Sequence, residues 1–111
     1  MRTIVYFVSE DWYFCSHRLS IARKALAEGF KVVVVTRVSK HRDVIKSEGF
    51  ELAPIEIKRG GFNLFLEFKT LITVYSYYKK YKPDIVHHVA IKPVIYGTLV
   101  AKLIGSMKIV N

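Results

Sequence analysis

Thr3-Ile4-Val5-Tyr6-Phe7-Val8 and Lys31-Val32-Val33-Val34-Val35-Thr36 decide the fold, because both are short apolar, β-branched runs of the kind buried on both faces of a parallel sheet. Between them Ser16 is a helix N-cap residue, Leu19, Ala22 and Leu26 recur on one helical face, and Gly29 closes the turn, which predicts a helix over 16–29. The same alternation continues outward. Ser39 caps a short helix ending at Gly49, and Glu51 to Ile55 make a third strand. The loop Lys58-Arg59-Gly60-Gly61-Phe62 leads to Asn63, the cap of a long helix on which Leu64, Phe68, Leu71, Tyr75 and Tyr78 share a buried face. Lys82-Pro83-Asp84 stops that helix and Ile85 to Val89 form a fourth strand. Pro93 takes the favoured first position of a last helix, Gly105 ends it, and Lys108-Ile109-Val110 begin a fifth strand.

Strict alternation of strands and helices predicts a Rossmann-like α/β fold, three layers deep, with one parallel sheet and right-handed crossovers. The expected strand order is 3-2-1-4-5, which reverses between the first and fourth strands. Ligands of such sheets bind in the crevice beyond the carboxyl ends of those two strands. Two unusual junctions open there. Glu10-Asp11-Trp12-Tyr13-Phe14-Cys15-Ser16-His17-Arg18 follows the first strand, and Ala90-Ile91-Lys92-Pro93 follows the fourth. Each is expected to set a cation, Arg18 or Lys92, at a helix start, where the macrodipole disfavours positive charge by roughly 0.3–1 kcal/mol. An anion bound between them would supply the missing negative charge.

The remaining composition sets bounds. With 111 residues the chain has the length of one domain, and 51% apolar residues make it globular. Its 18 Lys and Arg against 9 Asp and Glu leave a net charge of +9, which favours nucleic acid, phosphorylated metabolites or an acidic membrane surface as partners. Cys15 is the single cysteine and no Cys/His spacing suggests zinc, so neither a disulfide nor a metal site is expected, and a reducing cytoplasm fits. The longest charge-free runs are far shorter than the roughly 20 residues of a spanning helix. The expected fifth strand ends the sequence at Asn111 without a helix to cover it, which leads to the expectation that more polypeptide follows.

Each candidate residue has an ordinary reading beside the functional one. Arg18 either contacts a phosphate or pairs with Glu10 or Asp11 across its loop. Lys92 is a phosphate contact or a solvated lysine. His87 and His88 are adjacent in a strand and face opposite sides, one of them into the core, and His88 is the better candidate for a sugar contact. Glu10 and Asp11 are a solvated loop pair, metal ligands, a general base, or the groups that orient Arg18 or an acceptor hydroxyl. His17 is a helix-start hydrogen bonder or a substrate contact, and Trp12 either packs locally or meets a lipid chain.

Ser9-Glu10-Asp11-Trp12-Tyr13-Phe14 with Ser16-His17-Arg18-Leu19, the loop Lys58-Arg59-Gly60-Gly61-Phe62-Asn63, and Pro83-Asp84-Ile85-Val86-His87-His88 with Ile91-Lys92-Pro93 and Tyr96-Gly97 resemble the N-terminal domain of family-4 retaining glycosyltransferases, in particular the bacterial enzymes that extend lipid-linked glycans. The resemblance implies a two-domain GT-B enzyme in which residues 1–111 are the acceptor-side half and a C-terminal half, absent here, binds the nucleotide-sugar. It implies no further cofactor, a lipid-pyrophosphate-linked acceptor, and a place in the cytoplasm at the inner face of the cell membrane. Under it Arg18 and Lys92 hold acceptor phosphates, His17 and Trp12 touch the substrate, and His88, Glu10 and Asp11 serve the transfer. This half by itself is expected to be inactive.

Three rivals are weaker. A dinucleotide-dependent oxidoreductase requires Gly-x-Gly-x-x-Gly after the first strand and an acid ending the second, where this chain has Glu10-Asp11-Trp12 and Thr36-Arg37. A phosphoacceptor signalling domain requires an aspartate at the end of the third strand, where Pro54-Ile55-Glu56 stands. A basic anion- or nucleic-acid-binding module without catalysis fits the charge, but a sheet covered by helices offers no stacking platform, and no specific nucleic acid is expected as a partner.

Overall fold

The computed structural model describes residues 2–57 and 63–111; the expected loop 58–62 lies outside the described residues. Strand β1 (Thr3–Glu10) leads into α1 (Asp11–His17) and α2 (Leu19–Ala27), then β2 (Lys31–Arg37), α3 (Arg42–Ser47) and β3 (Glu51–Pro54). The long helix α4 (Leu64–Tyr81) precedes β4 (Ile85–Val89), α5 (Ile91–Ile104) and β5 (Lys108–Val110). The strands are parallel in the order β3-β2-β1-β4-β5, as the alternation predicts.

Both faces of the sheet are buried at its centre. Val5, Phe7, Val33, Val35 and Val86 point to one face, where Val74 and Tyr78 of α4 and Val100 and Ala101 of α5 close over them. Ile4, Tyr6, Val8, Val32 and Val34 point to the other, against Phe14 of α1, Ala22 of α2 and Ile45 of α3. Each fully buried valine of this set stabilises the fold by about 1.5 kcal/mol. Asp84 pins the amino end of the central strands, its carboxylate and backbone N–H both bonding Thr3 at 2.8 Å. At the start of α4 the Asn63 side chain accepts from the Phe65 and Leu66 amides at 3.0 and 3.3 Å, the cap its position predicts. Gly105 ends α5 with φ +86°, a left-handed conformation that suits glycine.

Three local expectations differ from the structure. The single helix over 16–29 is two helices that begin at Asp11 and divide at Arg18, whose φ of −125° is not helical. Ser16 lies inside α1 and caps nothing; the early start is favoured because it buries Phe14 completely, edge-on to Tyr6 and Phe50. Ser39 is not the cap of α3, since His41 holds that position and Ser39 bonds Asp11 instead. Pro93 is the third residue of α5 rather than the first, where its missing N–H is equally harmless.

Candidate functional site

After β1 the chain turns to one face of the sheet to make α1, and after β4 it turns to the other to make α5. The two turns leave the crevice at the carboxyl ends of β1 and β4 that the strand order implies. No side chain caps α5, and its N-cap residue Ala90 has φ 81° and ψ 165°, a region that only glycine adopts without strain. No acidic residue lies in the first turn of α5.

Asp11 is the most constrained group of the crevice wall. Its carboxylate is fully buried and accepts from the Ser39 amide at 2.7 Å, the Ser39 hydroxyl at 2.8 Å, the His41 amide at 3.0 Å and the Trp12 amide at 2.8 Å. Burial pushes its pKa up, but these hydrogen bonds outweigh burial and hold the carboxyl below its ordinary value. Asp11 therefore ties the turn after β1 to the turn after β2. Glu10 accepts from Arg37 at 3.3 Å. Neither acid pairs with Arg18, contrary to the pairing with, or orienting of, Arg18 expected from sequence; the acids are taken by β2 and the segment after it.

Arg18 occupies the junction of α1 and α2. One of its Nη atoms donates to the His17 carbonyl at 3.1 Å, while its Nε is buried without a partner among the described residues. Its charge acts on Tyr6 and His87, which lie side by side on β1 and β4 with ring centroids 5.3 Å apart. Burial, and then the Arg18 charge, hold the His87 imidazole below the ordinary histidine value, so it is neutral at pH 7. His87 thus joins the candidate residues; the alternation of the strand offered it, but choosing between the two histidines requires the helix packing.

His88 is the core histidine, with 2% of its surface exposed. Its Nδ1 donates to the Asn111 side-chain oxygen at 2.8 Å, which leaves Nε2 to accept from the Tyr78 hydroxyl at 2.8 Å. Burial lowers its pKa, in keeping with this neutral form. With both nitrogens occupied, His88 braces β4 between α4 and α5 and has no atom left for the sugar contact expected of it. Gly97 of α5 sits directly on the imidazole: a Cβ there would lie 2.2 Å from Nε2.

The other candidates are more exposed. Lys92, the second residue of α5, pairs with Glu67 of α4 at 3.5 Å, so one of its partners comes from the opposite side of the crevice to Arg18. His17 ends α1, stacked on Tyr13 at 4.1 Å and bonded to the Tyr13 carbonyl at 3.3 Å. Trp12 is exposed at the turn, edge-on to Tyr13. Among the described residues no group of three metal-ligating side chains occurs, and no helix is long and apolar enough to cross a membrane.

The family described as glycosyl transferase 4-like matches residues 3–111. The chain belongs to that family. This glycosyl transferase 4-like chain superposes on MurG of Acinetobacter baumannii with a TM-score of 0.75 at 18% identity, covering 98% of the chain and 34% of MurG. A glycosyltransferase from Rickettsia africae gives 0.74 at 19% identity, with coverage of 97% and 28%. UDP-GlcNAc 2-epimerase from Methanocaldococcus jannaschii gives 0.63 at 17% identity, with coverage of 98% and 30%. The chain thus spans about a third of each of these proteins, and the likeness is one of fold: a Rossmann-like α/β arrangement that the GT-B glycosyltransferases among them and the epimerase share. No curated protein sequence matches the chain.

Proposed function

We propose that the chain is the acceptor-side half of a family-4 retaining glycosyltransferase that moves a sugar from a nucleotide donor to a lipid-pyrophosphate-linked glycan at the inner face of the cell membrane. The donor is held mainly by a second domain outside this sequence. The observation that carries this reading is the Nε of Arg18, buried without a hydrogen-bond partner among the described residues, at the junction of α1 and α2 in the segment that leads away from the crevice after β1. A buried donor left unmet costs about 1–3 kcal/mol, and a phosphate oxygen removes that cost. The uncapped start of α5 directs its dipole into the same crevice, and Lys92 adds charge beside it. These groups bind and orient the acceptor's diphosphate. When transfer occurs, the bond from the sugar's anomeric carbon to the donor phosphate breaks, a bond to the acceptor hydroxyl forms, and the hydroxyl proton leaves with the departing phosphate. Neutral His87, whose imidazole feels the Arg18 charge, offers a polar contact that adds no charge.

Thermal melts with and without pyrophosphate test this. Wild type is expected to gain stability with pyrophosphate. Arg18→Ala should leave the ligand-free domain unchanged or slightly more stable and weaken pyrophosphate binding by about 1.5–3 kcal/mol. A pyrophosphate shift of equal size in Arg18→Ala would overturn the assignment.

A further inference from the structure

A cleft of about 490 Å³ opens at the carboxyl ends of β2 and β3, beneath the first turns of α4 and on the β3 side of the crevice. Its floor is apolar, formed by Ile55 and Ile57 as the chain leaves β3 and by Leu66 of α4. Its walls are fixed. The Pro54 carbonyl accepts from the Tyr77 hydroxyl at 2.6 Å, the Ile55 amide donates to the Thr36 carbonyl at 3.1 Å, and the Glu56 carbonyl accepts from the Thr70 hydroxyl at 3.3 Å. A preformed hollow of this size, apolar at its base with a few charged groups converging on it, has the form of a small-molecule site.

Three charged side chains line it, Arg37, Lys69 and Glu56. They do not satisfy one another. Arg37 gives one nitrogen to Glu10 at 3.3 Å, and among the described residues neither the Lys69 ammonium nor the Glu56 carboxylate has an ion pair or a hydrogen bond. Opposite charges that share a cleft without pairing are free to meet a ligand, and their signs select its chemistry. Two cations favour an acid, because a carboxylate can take the guanidinium fork of Arg37 and the ammonium of Lys69 together. Glu56 discriminates among acids. One with an otherwise apolar body would press hydrocarbon against this carboxylate, whereas hydroxyl groups donate hydrogen bonds to it. A pyranose meets the remaining demand, since its C–H face can lie on the Ile55, Ile57 and Leu66 floor while its hydroxyls reach the rim.

We propose that this cleft binds an acidic sugar, its carboxylate on Arg37 and Lys69 and its hydroxyls on Glu56. Arg37 ties the cleft to Glu10, the residue before Asp11 at the crevice turn, so a sugar seated here lies beside an acceptor whose diphosphate occupies the crevice. This rests on the acceptor-side role proposed above and adds a subsite for an acidic sugar. A uronate reaches the cleft either linked into a glycan or as the free acid, and the probes below separate the two.

Heteronuclear NMR of the 111-residue chain with glucuronate, glucose and hexanoate tests the proposal. Glucuronate should shift the signals of Ile55, Ile57, Leu66 and Thr70 and bind about tenfold or more tighter than glucose, which lacks the acid, and than hexanoate, which lacks the hydroxyls. Lys69→Glu should weaken glucuronate binding by about tenfold or more, while Lys102→Glu, the same charge change on α5, should leave it nearly unchanged, which separates the cleft from the general attraction of a chain of net charge +9. Glu56→Gln should narrow the preference over hexanoate. Lys69, Lys102 and Glu56 are exposed, so the variants are expected to keep the wild-type circular dichroism. Binding of either methyl glucuronide anomer assigns the cleft to a uronate within a glycan; binding of the free acid alone overturns the link to the acceptor. Equal affinity for glucose, equal loss in the two lysine variants, or shifts confined to residues around Arg18 would overturn the proposal. Failure here with an intact pyrophosphate response at Arg18 removes the cleft and leaves the proposed function standing; glucuronate binding without that response does the opposite.

Discussion

Gly97→Ala sets two effects of opposite sign against each other. Within α5 an alanine is favoured over glycine by about 1 kcal/mol, so helix propensity predicts a more stable domain. The structure predicts the reverse. The added Cβ would lie 2.2 Å from His88 Nε2, 2.4 Å from Cδ2 and 2.8 Å from Cε1, and the ring cannot retreat without releasing Tyr78 or Asn111. Overpacking costs about 1–3 kcal/mol, and freeing the buried Tyr78 hydroxyl and imidazole costs about 1–3 kcal/mol more. After subtracting the propensity gain, a net destabilisation of about 1–5 kcal/mol is expected, centred on about 3 kcal/mol. Urea denaturation should show it as a midpoint lowered by about 1–2 M at unchanged slope. Pairing the change with His88→Ala removes the obstructing ring, so the double variant should lose clearly less than the two single losses added together. A Gly97→Ala domain as stable as wild type, or additive losses in the double variant, would refute the account of His88 as a brace clamped beneath α5.

Asp11→Asn keeps the shape but offers an amide where the Ser39 and His41 donors converge, and should destabilise by about 2–3 kcal/mol in the same assay; a change under about 0.5 kcal/mol would show that the carboxylate does not hold the two turns together. Acid should act through the histidines. His88 by burial, and His87 by burial and the Arg18 charge, are held below 6.5, so under that pH the unfolded chain binds protons that the folded chain does not, and stability complete above 6.5 is lost as pH falls towards the folded values. Urea midpoints measured at about pH 7.5 and about pH 5.5 should drop on acidification, and less steeply in His88→Gln; a midpoint independent of pH in wild type would contradict the burial of neutral imidazoles.

The sheet was legible because its signals are local and repeated. Four consecutive valines can only be a buried strand, Asn63 and Gly105 mark helix ends by their own chemistry, and alternation then dictates strand order. The site was legible by position only. Asp11 looks like a solvated loop acid until Ser39, 28 residues on, closes over it, and Lys92 looks unopposed until α4 brings Glu67 alongside. Alternation separated His87 from His88, yet which of them faces the core follows from Tyr78 and Gly97, contacts that no spacing within β4 encodes. Nothing in an alanine at position 90 signals its backbone conformation.

That backbone has a consequence for how the protein tolerates change. Ala90 is solvent-exposed and sits between elements, the kind of position at which a saturation scan normally finds nearly every residue accepted. With φ at 81° and ψ at 165°, each residue larger than alanine adds side-chain crowding to a conformation already strained by a Cβ, by about 1–3 kcal/mol. A tolerance map of the domain should therefore show a narrow trough at this surface position, open to glycine and closed to valine, isoleucine and threonine, as deep as those found in the core.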